Sequence, residues 1–424
     1  MLPSLLRDIQ ESPTPFHAIE KLRALLCSRG YSPLPDTSQP LAAGGKYYMT
    51  PYGRSLIAFR LPKEKPGGLM ITASHADSPC FRLRDRSELT GGDYTRLNVE
   101  RYGGMLSDSW LDRPLSIAGR IVIRDSGGIR TQLVDFKRDM VLIPRLAIHF
   151  NREWGEGRKY DPATDLIPLY GTAAAAGQFY RELAQQAGCE TNDILATDLF
   201  LYNNQPGAIW GGDGAFISAP RLDDLSCVFT CARAFLEAEE NRAVPVLCVY
   251  DNEEIGSETK QGAASTALPG VVARIADFAG VDTNELLRHS LLLSCDNGHG
   301  KHPNHPELAD CTEAPILGNG VVIKHSPRYA TDAVSASLFA EICRRRGVPV
   351  QHYSNRPDQP GGGTLGNIAA VGTPVNTVDI GMAQLAMHSC FETVASADVS
   401  HFVNAVTACY EASLHAHGET VEIR

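Results

Sequence analysis

No CxxC pair, no long apolar run and no basic excess occur in the 424 residues, and each absence removes a class of function. The eleven cysteines are odd in number and scattered, which fits a reducing cytoplasm better than a disulfide framework. Cys227 and Cys231 stand four apart, the spacing of small core residues on one helix face. No apolar stretch approaches the ~20 residues needed to span a bilayer, so no membrane partner is expected. The opening MLPSLLRDIQESPTPFHAIEKL lacks the charged start, apolar core and cleavage site of a secretory signal, and the expected location is cytoplasmic. A formal net charge of −10 leaves nothing to neutralise phosphates and argues against a nucleic-acid partner. Neither an internal repeat nor a low-complexity tract is present. What remains is a soluble globular composition, 43% hydrophobic and 21% charged, in a chain long enough for two domains.

Residues 1 to 30 predict two short helices broken at Ser12-Pro13-Thr14-Pro15 and stopped at Gly30. Strands are expected at 46–50, 55–61 and 69–74. Near residue 88 the texture changes. The stretches 116–124 and 129–136 alternate in the β manner across Asp125-Ser126-Gly127-Gly128, the pattern of an antiparallel hairpin. Further strands at 140–143 and 199–202 flank a helix near 173–187. An inserted, β-rich domain is therefore placed at 88–215. After Pro220 helices near 222–241, 262–278, 329–346 and 400–415 alternate with strands near 245–250, 290–295, 320–324, 348–353 and 375–380. That alternation predicts a three-layer α/β/α sandwich, formed by residues 1–87 and 216–424, with a parallel or mixed sheet.

Polar residues able to bind a metal stand at the ends of several of these strands. The run Val246 to Tyr250 has the apolar, β-branched look of a central parallel strand, and Asp251-Asn252-Glu253-Glu254 follows it at once. Alone, such a pair of acids is an ordinary solvated turn. Adjacent carboxylates at the ligand-binding edge of an α/β sheet also invite a division of labour, one ligating a metal while its neighbour handles a proton. Strand 69–74 delivers His75-Ala76-Asp77, a histidine and an aspartate that can orient it. Asp223 and Asp224 open a helix, where acids also serve as caps. Asp296 ends strand 290–295, and His388 follows a strand and a Gly381 turn.

Together these residues have the chemistry to hold two Zn²⁺-like ions bridged by one carboxylate, and Glu253 is the best-placed base. His299, His302 and His305 lie among glycines and prolines that preclude a helix, so a loop lining the site is expected rather than a third metal. Gly361-Gly362-Gly363 suggests either close backbone approach to substrate or a plain turn.

In sum the chain resembles the aspartyl aminopeptidase family of dinuclear zinc metallopeptidases. The segments that carry the resemblance are SPTPFHA at 12, HADSPCFRLR at 75, YGGMLSDSWLDRPLSIAGR at 102, PRLAIHFNR at 144, APRLDDL at 219, YDNEEIGS at 250, HPN at 302, VIKHSPRYAT at 322 and AMHS at 386. The resemblance implies one metal on His75 and Asp296, another on Glu254 and His388, and Asp223 bridging both. It makes Glu253 the general base, Asp77 the partner orienting His75, and His149 a residue that reaches a neighbouring subunit's site to stabilise an oxyanion. Lys324 would pair with an acidic substrate side chain, with Tyr329 nearby.

The implied fold is an α/β catalytic domain with a β-rich dimerisation insert, assembled as a homo-oligomeric dodecamer that admits peptides. The implied activity removes N-terminal Asp or Glu from peptides using two divalent metal ions per subunit. Zn²⁺ is expected, and Mn²⁺ or Co²⁺ suits the same ligands. The alternatives are an aminopeptidase of broader or neutral specificity, a related deacylase, or a catalytically silent peptide-binding shell protein. Two stretches depart from the family pattern: Asp296-Asn297-Gly298-His299-Gly300-Lys301 and Arg356 to Thr364. Both border the substrate pocket in that reading and bear on side-chain preference.

Overall fold

A computed structural model describes residues 1–150 and 159–424. Asn151 and Arg152, which close the PRLAIHFNR segment, lie outside the described residues. A nine-stranded mixed sheet runs in the order Ser32–Pro33, Lys46–Met49, Leu56–Arg60, Ala243–Tyr250, Gly68–His75, Leu291–Cys295, Asn376–Gly381, Val321–His325, Val350–Ser354. Its middle four strands, from Ala243–Tyr250 to Asn376–Gly381, are mutually parallel. The strand expected to be central and parallel therefore has a parallel neighbour on one side and an antiparallel one, Leu56–Arg60, on the other.

Every residue of Ala243–Tyr250 and of Gly68–His75 is buried, because apolar clusters lie on both faces of the sheet. Leu247 and Val249 join one cluster with Phe235, Phe339, Phe402 and Tyr410, side chains from helices Leu222–Glu237, Ala333–Arg345 and Ser396–Tyr410. Val246, Cys248 and Tyr250 point the other way, toward Leu268, Val272 and Ile275 of helix Ala267–Ala279. A period of two along each strand, with both faces covered, gives the unbroken apolar runs seen in the sequence.

The helix boundaries have local causes. The first two helices, Leu2–Gln10 and Pro15–Ser28, meet at the expected Pro-rich break, and Gly30 ends the second at φ 81°. The helix expected from 262 starts only at Ala267. Gly262 is packed so tightly in a turn that a Cβ there would lie 2.1 Å from the Ser257 carbonyl oxygen. Asp332 caps Ala333–Arg345 reciprocally with Ser335, which starts that helix later than expected. The last helix ends at Tyr410 rather than 415, because Leu414–His417 folds into a hairpin with Thr420–Ile423.

A second, seven-stranded antiparallel sheet holds the expected hairpin, Pro114–Asp125 with Gly128–Asp135. This sheet takes its strands from Cys80–Leu89 to Ile194–Tyr202, not from 88 to 215. Charges at Arg82, Arg84, Asp85 and Arg86 obscure the short Phe81/Leu83 alternation that opens it. Ala208–Trp210 and Phe216–Ala219 belong elsewhere. They join Glu392–Ala395, Ala383–Leu385 and Gly298–His299 in a small sheet that borders the site.

Candidate metal centre

The carboxyl ends of three neighbouring parallel strands deliver the chemistry. Tyr250 pairs with His75, so the turn carrying Glu253 and Glu254 begins level with the imidazole, and Asp296 follows the adjacent strand. Asp223 comes from the first turn of helix Leu222–Glu237, and His388 from the loop after Ala383–Leu385. Three groups of candidate ligands converge here: His75 with Asp223 and Asp296, Asp223 with Glu254 and His388, and His75 with Glu253 and Glu254.

The two oxygens of Asp223 face different partners. Oδ1 lies 3.4 Å from His75 Nε2, which is itself 3.8 Å from Asp296 Oδ1. Oδ2 lies 3.6 Å from His388 Nε2, which is 3.7 Å from Glu254 Oε2. Ligand atoms ~2.0–2.2 Å from a tetrahedral ion stand about 3.3–3.6 Å apart, so these separations suit ions rather than direct hydrogen bonds. Asp223 is 3% exposed, and its buried Oδ1 has no hydrogen-bond partner among the described residues. An orphaned carboxylate oxygen among histidines and acids fits a divalent cation.

The candidate ligands are held from behind. His75 Nδ1 donates to the main-chain oxygen of Asp77 at 3.0 Å and lies 3.4 Å from its carboxylate, which leaves Nε2 free as a ligand. Asp77 in turn accepts from the Tyr102 hydroxyl at 2.8 Å and from the main-chain N–H groups of Glu253 and Glu254 at 3.2 and 3.1 Å. One carboxylate thus fixes both the histidine and the acidic turn. Arg221, Asn252 and His388 sit in the left-handed region at φ 59°, 65° and 65°. Such backbone persists where surrounding bonds over-determine it. The Asn252 side chain donates to Tyr102, and the His388 N–H donates to Glu392.

Burial and like charge set the proton affinities of the metal-free chain. Burial, with Asp296, Asp77 and Asp223 close by, pushes the Glu253 carboxyl up to about 8. Burial and Asp223 raise Glu254 well above the usual carboxylate range. Burial opposes charge on His75, but Asp223, Asp296 and Asp77 outweigh it and raise the imidazole. Asp296 goes the other way. Burial would raise it, yet Lys324 and His75 hold it below the ordinary range.

His75, Asp223, Glu253, Glu254, Asp296 and His388 line one pocket of about 410 Å³, lined also by His299, Lys324, Tyr329, Gly362 and Gly363. Lys324 has partners of its own. Its ammonium donates to Asp296 O at 2.7 Å, Asp296 Oδ2 at 3.1 Å and Asn297 O at 3.3 Å, and the residue is 1% exposed. The ammonium is thus engaged by three oxygens of Asp296 and Asn297 while the residue lines the pocket. Tyr329 stands beside it, with Lys324 Nζ 5.5 Å from the ring centroid.

His149 is exposed in the stretch that follows strand Val141–Leu142 of the second sheet and does not line this pocket. His302 and His305 line a neighbouring groove and join no candidate ligand group among the described residues.

Several supporting residues are invisible to motif reading. Glu392, 1% exposed, accepts the main-chain N–H groups of Asp223 at 2.9 Å and His388 at 2.7 Å, so one buried acid anchors two candidate ligands. Asn297 donates to Leu222 O, Ser226 Oγ and Gln384 Oε1, tying the Asp296 strand to the Asp223 helix. Asp224 accepts the His75 N–H at 3.3 Å. The available signal was the polar character of positions inside apolar runs, which does not say where the partners lie.

Comparison with known proteins agrees with this geometry. Residues 9–410 match the family model of aminopeptidase I zinc metalloproteases (M18). A probable M18 family aminopeptidase 2 of Clostridium acetobutylicum is 38% identical over 411 residues, covering 93% of this chain and 94% of that protein. Its counterpart in Pseudomonas entomophila is 37% identical, covering 96% and 97%. Among solved structures, yeast aminopeptidase 1 (Ape1) superposes with a TM-score of 0.84 at 30% identity over 96% of each chain. The mApe1 dodecamer of S. cerevisiae gives the same TM-score, identity and coverage. An M18 aminopeptidase of Thermotoga maritima, at 23% identity and TM-score 0.87 over 96% and 95% of the chains, shares the fold. With the match running almost end to end, this chain belongs to the M18 family and is a metalloaminopeptidase.

Proposed function

We propose that the chain is a dinuclear metalloaminopeptidase that removes N-terminal Asp or Glu from peptides. The observation that carries this reading is the split aim of Asp223, one oxygen toward His75 and Asp296 and the other toward Glu254 and His388. On this assignment Asp223 would be shared by two ions, one also held by His75 and Asp296 and the other by Glu254 and His388. Two divalent ions bound there, Zn²⁺ by the character of the family, would polarise the peptide carbonyl and lower the pKa of a water molecule.

The protein supplies the remaining steps. Glu253, unassigned as a ligand and held at its main-chain N–H by Asp77, takes a proton at its carboxylate and returns it to the departing amine. Asp77 keeps His75 in the tautomer that presents Nε2. The free α-amine of the substrate is drawn to the acidic cluster, which accounts for attack at the first peptide bond only.

The acidic preference rests on Lys324, the single permanent cation on the pocket wall among the described residues. An acidic side chain reaching it would have to share an ammonium already bonded to Asp296 and Asn297. That engagement favours a second reading, an aminopeptidase of broader or neutral specificity.

In the same proposal the catalytic unit is a three-layer α/β/α sandwich in a cytoplasmic protein. The seven-stranded sheet, Cys80 to Tyr202, is its inserted dimerisation unit, and the chain assembles as a homododecamer like the yeast mApe1 dodecamer. His149, exposed on the insert, would serve a neighbouring subunit's site. Hydrolysis of N-terminal Asp, Glu, Leu and Lys peptides by wild type, Glu253→Gln and Lys324→Met tests the scheme. Loss of all release in Glu253→Gln, together with loss of Asp and Glu but not Leu release in metal-saturated Lys324→Met, supports it. Equal release of Leu removes the acidic preference, and a fully active Glu253→Gln removes the assigned base.

A further inference from the structure

An open groove of about 520 Å³ adjoins the metal pocket and shares His299, Gly362 and Met387 with it. Its volume lies within the ~300–1,000 Å³ of ligand-sized sites. In an exopeptidase the first residue fills the pocket at the catalytic groups, and the rest of the peptide must leave through a contiguous opening. The groove is such an opening.

Its charges are not equivalent. The Arg356 guanidinium forks onto Asp358 at 2.6 and 2.5 Å and also donates to Glu307 O. Asp310 turns into its own loop, accepting from Thr312 N, Thr312 Oγ1 and Glu313 N at 2.9, 2.9 and 3.0 Å. Glu313 accepts from the Ser354 hydroxyl. Lys301 is different. It is exposed, and among the described residues its ammonium has neither an ion-pair nor a hydrogen-bond partner. Its main chain is nevertheless fixed. The Lys301 N–H donates to Pro315 O at 2.7 Å, the Gly300 N–H donates to Gln384 O at 2.8 Å, and Gly298–His299 pairs with Ala383–Gln384. A rigid stem thus presents an unpaired cation to a groove whose other permanent charges already have partners.

We propose that Lys301 makes this groove a second recognition site, one that favours substrates with a carboxylate at the second or third residue. The proposal rests on the aminopeptidase reading above and deepens it. It separates recognition of the first side chain, inside the pocket, from recognition of downstream acid in the groove. An exposed pair of this kind is modest in strength and weakens with salt.

The test uses the assembled, metal-loaded protein and C-terminally amidated tetrapeptides. All begin with Asp and carry Glu, Ala or Lys at position two or three, with a Leu-first series in parallel. Wild type is expected to favour Glu over Ala by about two- to fivefold in kcat/KM at low salt. Lys301→Ala should flatten that ratio, and Lys301→Glu should invert it toward Lys, both leaving the ratio of Asp-first to Leu-first peptides unchanged. Calorimetric binding of the same peptides to Glu253→Gln reads the preference without turnover. Preferential binding without hydrolysis in wild type would keep the groove assignment and remove the hydrolytic scheme. Equal rates and equal binding across the downstream series would overturn the groove, as would a Lys301→Ala effect confined to the Asp/Leu ratio.

Discussion

On the His75–Asp296 side of the candidate-ligand cluster each residue has a partner behind it, whereas on the Glu254–His388 side the imidazole stands almost alone. His75 is 1% exposed and tied to Asp77, and Asp296 is gripped twice by Lys324. The His388 side chain is 35% exposed, and its ring has no hydrogen-bond partner among the described residues. It is positioned through its backbone, where the N–H meets Glu392 and the carbonyl accepts from Leu106 at 3.1 Å. Outer partners fix ring orientation and ligand basicity, so equal sets of donor atoms need not bind equally. The difference teaches that one half of the candidate cluster is preorganised and sealed, and that on the proposed assignment the other is the half expected to release an ion first.

The largest effects should come from residues that both halves need. Asp223→Ala removes the shared carboxylate, so metal content should fall in both halves and activity should fall further than in Glu253→Gln. The latter should lose about 10²–10⁴-fold in kcat with metal content intact. Elemental analysis beside kinetics checks both, and an Asp223→Ala protein that keeps its full metal content would erase the bridging role.

A chelator titration sharpens the comparison itself. Wild type should release metal in two steps, with the Glu254–His388 ion leaving first. His388→Ala should abolish only the weaker step. Lys324→Met should weaken the tighter step and Glu392→Gln the weaker one, each by about 10–100-fold. A single release step in wild type would remove the asymmetry.

The smallest effect is a pH dependence of the metal-free chain. Glu253 is pushed up to about 8 by burial and its acidic neighbours, and Asp251 to about 7 by burial and Asp77, despite the Arg54 contact. Both therefore hold protons in the folded state that the unfolded chain has released above pH ~4–5. Folded protein binds more protons than unfolded across that window, so metal-free stability should fall as pH rises from 5 to 8, by about 1.4 kcal/mol per unit for each group at most. Denaturant unfolding with and without divalent metal measures it, and bound metal should flatten the slope. A rising slope in the metal-free chain would show that these carboxyls are not held protonated.

The outline of the fold was legible because its main sheet is buried on both faces. Apolar runs such as Ala243–Tyr250 announce themselves, and a polar residue that ends one is conspicuous. His75, Asp296 and the Glu253-Glu254 pair stood out for that reason. Asp223 was harder, since an acid in a first helical turn serves the helix equally well. The opening of the second sheet was obscured because Arg82, Arg84 and Arg86 interrupt the alternation there. Glu392 was missed altogether. It looks like an ordinary polar position in a short strand, and the residue it anchors at Asp223 is 169 positions away.

By itself the sequence determined which residue types stand at the ends of buried strands, because hydrophobic periodicity is local and its interruptions are visible. It also set the surplus of acids that only a cation or a proton can reconcile. Tertiary structure alone decided which oxygen of Asp223 faces which histidine, that Lys324 is bound to Asp296, and that Lys301 has no partner among the described residues. Those outcomes depend on distances of a few ångströms between segments far apart in the chain. Hydrogen bonds and charge pairs fall off over that range, so only the folded geometry settles them.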